Sequence, residues 1–330
     1  SVPSAWGQRF ADAGVNWRQF SPLGRLGLLL PVRWRRLHRK LCVVDAQLAF
    51  CGGINVLDDH IDPAYGVQDA PRFDFALLVQ GPLVVDAHRA RVQFWARLQI
   101  TRQLEHMAFK DASKTWKAAN ASARSAPSKK TRRGQGVPAG SYAMLLLRDN
   151  LRNRNRIERA YRTAIATAQS EILIANAYFL PGGKLRRALV HAAKRGVKVR
   201  LLLQGRYEYF MQYHGSRPVY GKLLAAGVEI HEYSVGFLHA KVAVVDGRWA
   251  TVGSSNLDPL SLLLAREANV VVDDVPFARA LRARLESAIQ SDGTQLDATT
   301  YALRPWRKRV LDRLAFGVMR LLLFLAGQRY

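Results

Sequence analysis

His38-Arg-Lys40-Leu-Cys-Val-Val-Asp45, followed by Gly52-Gly53-Ile54-Asn55, is matched later in the chain by His239-Ala-Lys241-Val-Ala-Val-Val-Asp246, followed by Gly253-Ser254-Ser255-Asn256. The steps from His to Lys, Asp, Gly and Asn are the same in both stretches, so the chain carries an internal repeat. The likeness runs outward on both sides. Ala13-Gly14-Val15 leading to Phe20 echoes Ala226-Gly227-Val228 leading to Tyr233, and Asp74 ahead of an apolar run echoes Glu267 ahead of another. The first copy holds two insertions, an apolar one at 21–34 and a polar one at 58–65.

The second copy displays the layout most fully. Apolar periodicity and turn residues predict a helix over 156–168, a strand over 171–175 and a break at Pro181-Gly182-Gly183. A helix over 184–195, a strand over 197–203, a helix over 219–226 and a strand over 228–233 follow, then a hairpin of 241–245 with 249–252. Alternation of this kind predicts an α/β fold: two repeated halves with mixed sheets flanked by helices. We divide the chain into a first half (1–117), a linker rich in Ala, Ser, Lys, Arg, Gly and Pro (118–141), a second half (142–292) and a basic amphipathic C-terminal helix (293–330). About ninety residues precede His239 within its repeat, whereas 37 precede His38, and the chain opens on Ser1 rather than Met. The expectation is a first half truncated at its N-terminus, lacking a strand–helix–strand–helix block.

Bulk composition narrows the partners. Fifty Lys and Arg against 25 Asp and Glu leave a formal charge of +25, which concentrates anionic partners such as phospholipid headgroups or nucleic acid without choosing between them. Cys42 and Cys51, outside any CxxC or Cys/His cluster, read as a buried pair of reduced thiols rather than a zinc site or disulfide framework. No run of about 18 apolar residues marks a membrane span. The stretch Arg304-Pro-Trp-Arg-Lys-Arg309 and the broken apolar run after it suit a helix lying in the interface of an anionic membrane.

The repeated residue types fit phosphodiester chemistry. One neutral imidazole attacks phosphorus while a second, protonated, gives its proton to the departing oxygen. Period two in a strand puts His38 and Lys40 on one face, and likewise His239 and Lys241. Lys40, Lys241, Asn55 and Asn256 supply donors to the phosphate oxygens without a metal or other cofactor. Gly53 and Ser254 hold equivalent places, where a small residue lets phosphate approach, so Ser254 joins the phosphate-binding set. Asp74 and Glu267 are expected to orient the catalytic histidines by accepting from the far ring nitrogen.

These motifs resemble the phospholipase D superfamily. Asn176-Ala-Tyr-Phe-Leu-Pro-Gly-Gly183, Val252-Gly-Ser-Ser-Asn-Leu-Asp-Pro-Leu-Ser261 and the stretch 75–82 followed by Val84-Val85-Asp86 are similar to the bacterial cardiolipin synthases within it. The resemblance implies one active site at a pseudo-twofold interface between the halves. It implies that His38 attacks and carries a phosphatidyl group, while His239 protonates the leaving glycerol and then deprotonates the incoming alcohol. Asp45 and Asp246, the motif's third letters, belong to the catalytic set by resemblance, though a structural role suits them better. The implied activity joins two phosphatidylglycerols into cardiolipin, with phosphatidylethanolamine as another possible donor. The alternative is a hydrolase or nuclease using the same histidines. The implied location is peripheral, on the cytoplasmic face of the inner membrane.

Overall fold

Each motif folds as an antiparallel hairpin closed by a turn whose two central residues have positive φ. In the first hairpin these are Asp45 (49°) and Ala46 (55°), and in the second Asp246 (51°) and Gly247 (60°). Two successive left-handed residues make the tight turn that matches strand twist, and aspartate tolerates that conformation better than most side chains. The turns close on Gln47 N to Val44 O (3.0 Å) and Arg248 N to Val245 O (3.1 Å).

The computed structural model describes residues 4–18, 20, 35–105, 107–125, 142–149 and 153–325. In chain order they form α1 (Ser4–Asp12), β1 (Arg36–Leu37), β2 (Lys40–Val44), β3 (Leu48–Gly52), β4 (Ile61–Asp62), β5 (Gly66–Val67), β6 (Ala76–Gln80), α2 (Pro82–Glu105), α3 (Phe109–Ser125) and β7 (Tyr142–Arg148). The second half continues with α4 (Arg156–Thr167), β8 (Glu171–Asn176), α5 (Gly183–Lys194), β9 (Lys198–Gln204), α6 (Phe210–Leu224), β10 (Glu229–Tyr233), β11 (Lys241–Val245) and β12 (Trp249–Gly253). A π-helical turn (Leu260–Leu264), β13 (Ala265–Asp273), α7 (Val275–Asp292), β14 (Gly293–Gln295), α8 (Ala298–Ala302) and α9 (Trp306–Leu325) complete it.

The larger sheet runs β1-β13-β12-β11-β8-β9-β10-β14, with β7 also on β13, while β2, β3 and β6 make a separate three-stranded sheet. Central strands of the larger sheet are apolar on both faces because both are covered. Ile172, Ile174, Leu201 and Ala243 face the core under α4, α5 and α6. Their alternates Leu173, Ala175, Leu202 and Val242 face α7 and, from the first half, Phe73, Phe75 and Leu77. A third cluster joins the sheets, with Ala49 and Cys51 of β3 against Ala268 and Val270 of β13, capped by Val84 and Ala87 of α2. This is the mixed α/β architecture expected, with helices on the sheet faces.

Several expectations need correction. The helix predicted to begin at 219 begins at Phe210 and carries Pro218 inside it. A proline removes a helix hydrogen bond, but here packing of Gly215, Ser216, Val219 and Tyr220 against neighbours holds the helix through it. Residues 118–125 extend α3 rather than a linker, and 126–141 lie outside the described residues, as does the apolar insertion at 21–34. The C-terminal segment includes β14 and α8 before the amphipathic α9. The cysteines are not a buried pair: Cys51 is buried and Cys42 exposed, because neighbouring strands turn them to opposite faces of the small sheet. Burial pushes the Cys51 thiol up to about 12, so it is inert.

Candidate active site

Two short parallel bridges build the site. β1 lies parallel to the start of β13, Leu37 opposite Arg266, and His38 N donates to Arg266 O at 3.0 Å. The mirror arrangement pairs Phe73 with Leu238 in parallel, and His239 N donates to Phe73 O at 3.0 Å. Each bridge carries the chain one residue further to a histidine beside a carboxylate of the other repeat. His38 Nδ1 lies 3.0 and 3.1 Å from the two oxygens of Glu267, and 3.2 Å from Ser254 O. His239 Nδ1 lies 2.6 Å from Asp74 Oδ2. Sequence reasoning had found both carboxylates; the exchange between halves was visible only in three dimensions.

With Nδ1 committed on both rings, Nε2 is the nitrogen left to face a substrate. Lys40 Nζ donates back to His38 O at 3.1 Å and Lys241 Nζ to His239 O, so period two along each strand delivers the lysine to the histidine's side. The four groups share one electrostatic environment. Burial, reinforced by the Lys241 and Lys40 ammoniums, pulls His239 down to about 4 against the opposing pull of Asp74. Burial likewise lowers Lys241 to about 7 and Lys40 to about 8, with Asp74 and Glu267 countering it. Burial strips water from both ammoniums more than Asp74 and Glu267 make good, and a phosphate oxygen between them would supply a further countercharge.

The carboxylates are seated differently in the two copies. A Cβ on Gly53 would run into the Asp74 carboxylate where it now lies, so glycine lets that carboxylate keep its place against His239. At the equivalent place Ser254 is fully buried, and its hydroxyl donates to Glu267 Oε2 at 2.5 Å. Ser254, expected to bind phosphate, is therefore spent on fixing the carboxylate that orients His38. Asn256 is buried, with its Oδ1 accepting from Tyr178 N at 3.4 Å, and lines a cavity of about 270 Å³ that opens at His38. Asn55 departs from its expected place, being exposed. In the second copy β8 pairs alongside β11, and Asn176 and Tyr178 at its end brace the Asn256 loop; among the described residues β2 has no such neighbour.

Asp45 and Asp246 are not in the site. They sit at the hairpin turns, about 16 Å of strand from the lysines, and Asp246 accepts from the backbone N–H groups of Gln169, Ser170 and Glu171. The motif's aspartate is a turn residue and an anchor for β8. Among the described residues no group of three or more His, Cys, Asp and Glu could hold a metal ion. Sequence reasoning missed Asp258, fully buried and pushed up to about 6 by that burial, which lines the His38 cavity with Tyr178 and Gln212.

Comparison with known proteins places the chain among relatives. Residues 161–289 match the family model described as cardiolipin synthase, PLD-like domain. Cardiolipin synthase B of Escherichia coli (strain K12) is 38% identical over 308 residues, covering 93% of this chain and 69% of that protein. A cardiolipin synthase of Geobacillus sp. (strain WCH70) is 30% identical over 308 residues, covering 92% of this chain and 56% of that one. Among solved structures, phosphatidylserine synthase of Haemophilus influenzae Rd KW20 is similar at a TM-score of 0.56 and 12% identity, covering 86% of this chain and 69% of that chain, a likeness of fold alone.

The depressed His239 makes a direct prediction. At about pH 5.5 the empty site holds His239 neutral, and an anion beside it raises its affinity for a proton, so anion binding takes up protons. Calorimetry of dimethyl phosphate binding in buffers of different ionisation enthalpy should report uptake approaching one proton, lost in His239→Asn. No uptake by the unaltered chain would mean that His239 is already charged.

Proposed function

The chain belongs to the cardiolipin synthase family of phospholipase D-like proteins, and on that premise we propose that it is a phosphatidyltransferase joining two phosphatidylglycerols into cardiolipin. The observation that supports this most is the crossed pairing of His38 with Glu267 and His239 with Asp74 beside two buried or half-buried lysines. That arrangement suits double displacement at one phosphorus.

In the proposed course His38 Nε2 attacks phosphorus. The bond from phosphorus to the headgroup oxygen breaks, the proton on His239 Nε2 passes to that oxygen, and glycerol leaves. His239 acquires this proton as the anionic phosphate binds, because the phosphate charge counters the burial and the lysine charges that otherwise keep the ring neutral. The primary hydroxyl of a second phosphatidylglycerol then gives its proton to His239 and attacks phosphorus. The phosphorus–nitrogen bond breaks and cardiolipin departs, with both imidazoles restored. Lys40, Lys241 and Asn256 donate to the equatorial oxygens, where charge grows in the transition state. Glu267 and Asp74 hold each ring by Nδ1 so that Nε2 stays aimed at phosphorus.

The C-terminal helix suits a substrate that lives in a membrane. No helix among the described residues is long and apolar enough to cross one. In α9, however, Trp306, Val310, Leu314, Val318, Leu321 and Leu325 are all exposed, and at 100° per residue they fall within an arc of about 120°. Arg309, Arg313 and Arg320 border that arc, while Asp312, Ala315 and Leu323 face the protein. An apolar stripe edged with arginine is the pattern of a helix lying in an anionic interface, and we assign peripheral membrane binding to it, on the cytoplasmic face.

Two experiments test these readings. In liposomes of labelled phosphatidylglycerol with a chelator present, the chain should release glycerol and form cardiolipin, and His38→Ala or His239→Ala should abolish both. Asp74→Asn and Glu267→Gln should each lower kcat by roughly a hundredfold or more, as loss of a ring-orienting carboxylate does elsewhere. A trapped phosphoramidate on His239 rather than His38 would reverse the assigned order. Phosphatidic acid without cardiolipin would make the chain a hydrolase, and cleavage of nucleic acid without lipid turnover would overturn the lipid reading. Separately, Leu314→Glu with Val318→Glu should weaken flotation with phosphatidylglycerol vesicles by about tenfold or more. Unchanged flotation would remove α9 from the interface.

A further inference from the structure

A second, narrower cavity of about 50 Å³ adjoins the His38 cavity, sharing Tyr178, Gln212, Asp258 and Leu260 with it. Its aromatic walls come from Tyr209 and Tyr213, and Met319 on the protein-facing side of α9 also lines it. Most of its polar groups are occupied. Tyr178 donates to Glu208 at 2.7 Å, Arg206 to Gln68 at 3.0 Å, Arg217 to Glu232 at 2.5 Å and Ser216 to Tyr213 O at 3.0 Å. Asp258 accepts from Ser261 N at 2.9 Å.

Two polar atoms of this lining are buried without a hydrogen-bond partner: Gln204 Nε2, a donor, and Gln212 Oε1, an acceptor. The Gln204 amide is oriented by its own Oε1, which accepts from Leu238 N at 3.3 Å, so the NH2 group is the end left over. An unmade hydrogen bond on a buried group is costly, and a ligand that pairs both atoms regains it. One unpaired donor and one unpaired acceptor on residues that line the same small space match hydroxyl groups, each of which both gives and accepts. An acyl chain would leave both atoms unpaired, and the cavity has room for only a few carbon-sized atoms. An ammonium headgroup offers donors alone, so Gln204 Nε2 would stay unpaired.

We propose that this cavity is the subsite for a neutral glycerol headgroup, with Gln212 Oε1 accepting from one of its vicinal hydroxyls and Gln204 Nε2 donating to the other. The assignment rests on the phosphatidyltransfer reading and deepens it. The cavity's junction with the His38 pocket puts a bound glycerol next to the reacting phosphorus. The same group comes from two sources, the headgroup leaving the donor and the headgroup of the acceptor lipid. Gln204 and Gln212 are specificity-determining residues under this proposal and touch no reacting atom.

The test begins with binding alone. Saturation-transfer NMR on the full chain should show glycerol contacting the protein, with 1-propanol and ethanolamine binding at least about tenfold more weakly. Gln212→Leu, of similar volume and with its fold checked by circular dichroism, should erase the preference for glycerol. This measurement needs no turnover, so it stands whether or not the chain transfers phosphatidyl groups. Turnover then separates the sources. With a nitrophenyl phosphatidyl ester as donor, a drop of about tenfold in the glycerol-to-propanol transfer ratio of Gln212→Leu marks the acceptor's headgroup. With phosphatidylglycerol as donor and water as acceptor, slower glycerol release relative to nitrophenol release marks the leaving headgroup. No glycerol preference in the unaltered chain, or equal loss of glycerol and propanol in the variant, would overturn the subsite. Glycerol binding at Gln212 without lipid turnover would keep the subsite and sink the transferase.

Discussion

His38 N to Arg266 O and His239 N to Phe73 O are the two backbone hydrogen bonds on which the site depends. Each closes a parallel bridge between the repeats, and each sets a histidine one step beyond the bridge against a carboxylate of the opposite copy. Neither half contains a complete site. His38 without Glu267 has no carboxylate on its ring, and Asp74 in turn serves the second copy's histidine. The geometry is therefore as rigid as the interface between the halves, which is a packed core: Phe73, Phe75 and Leu77 on one side of the join, Ala49 and Cys51 on another. Packing at core density tolerates little sliding, so two short bridges are enough to fix ring positions that catalysis needs to within fractions of an ångström.

The same packing creates the electrostatic tension at the centre. Lys241 is fully buried, and its pKa is lowered because water has been removed from an ammonium. Two carboxylates nearby offset part of that cost, but they are already bonded to the imidazoles. Under the proposed mechanism, a phosphodiester entering between the lysines gives the desolvated ammoniums a further countercharge and raises the proton affinity of His239 in the same act. Substrate binding and loading of the general acid are thus one electrostatic event under the proposed mechanism. The donors are fixed before substrate arrives, so little reorganisation is needed as charge grows on the equatorial oxygens.

Much of this was legible in the chain. Matched spacings exposed the repeat, period two put each lysine on its histidine's side, and the position of Asp74 and Glu267 ahead of apolar runs singled out both carboxylates. What could not be read was anything set by contact between distant segments. The crossing of His38 to Glu267 depends on which half β1 joins. The burial of Ser254 against Glu267 and the exposure of Asn55 depend on neighbours 13 and more residues away, which repeat symmetry treats as equal. The helix read over 219–226 starts instead at Phe210, because tertiary packing holds it through Pro218. Gln204 and Gln212 belong to no motif; a strand end and a helix start bring them to the wall of one cavity.

Those differences explain how two nearly identical motifs can divide one reaction. A symmetric site would offer a phosphorus two equivalent imidazoles, and nothing would decide which attacks. Here the His38 side chain is a third exposed and opens onto the larger cavity, whereas the His239 side chain is 18% exposed and is held neutral by burial and two lysines. The glycine at 53 lets Asp74 press against the loop, while the serine at 254 adds a donor to Glu267. The narrow cavity with its two unpaired amide atoms lies on the second half's side, built by β9 and α6 and lined by α9. Under the proposed mechanism, repetition provides the paired histidines and lysines, and divergence around them provides direction. The asymmetry lives in the surroundings of those four residues rather than in the residues themselves.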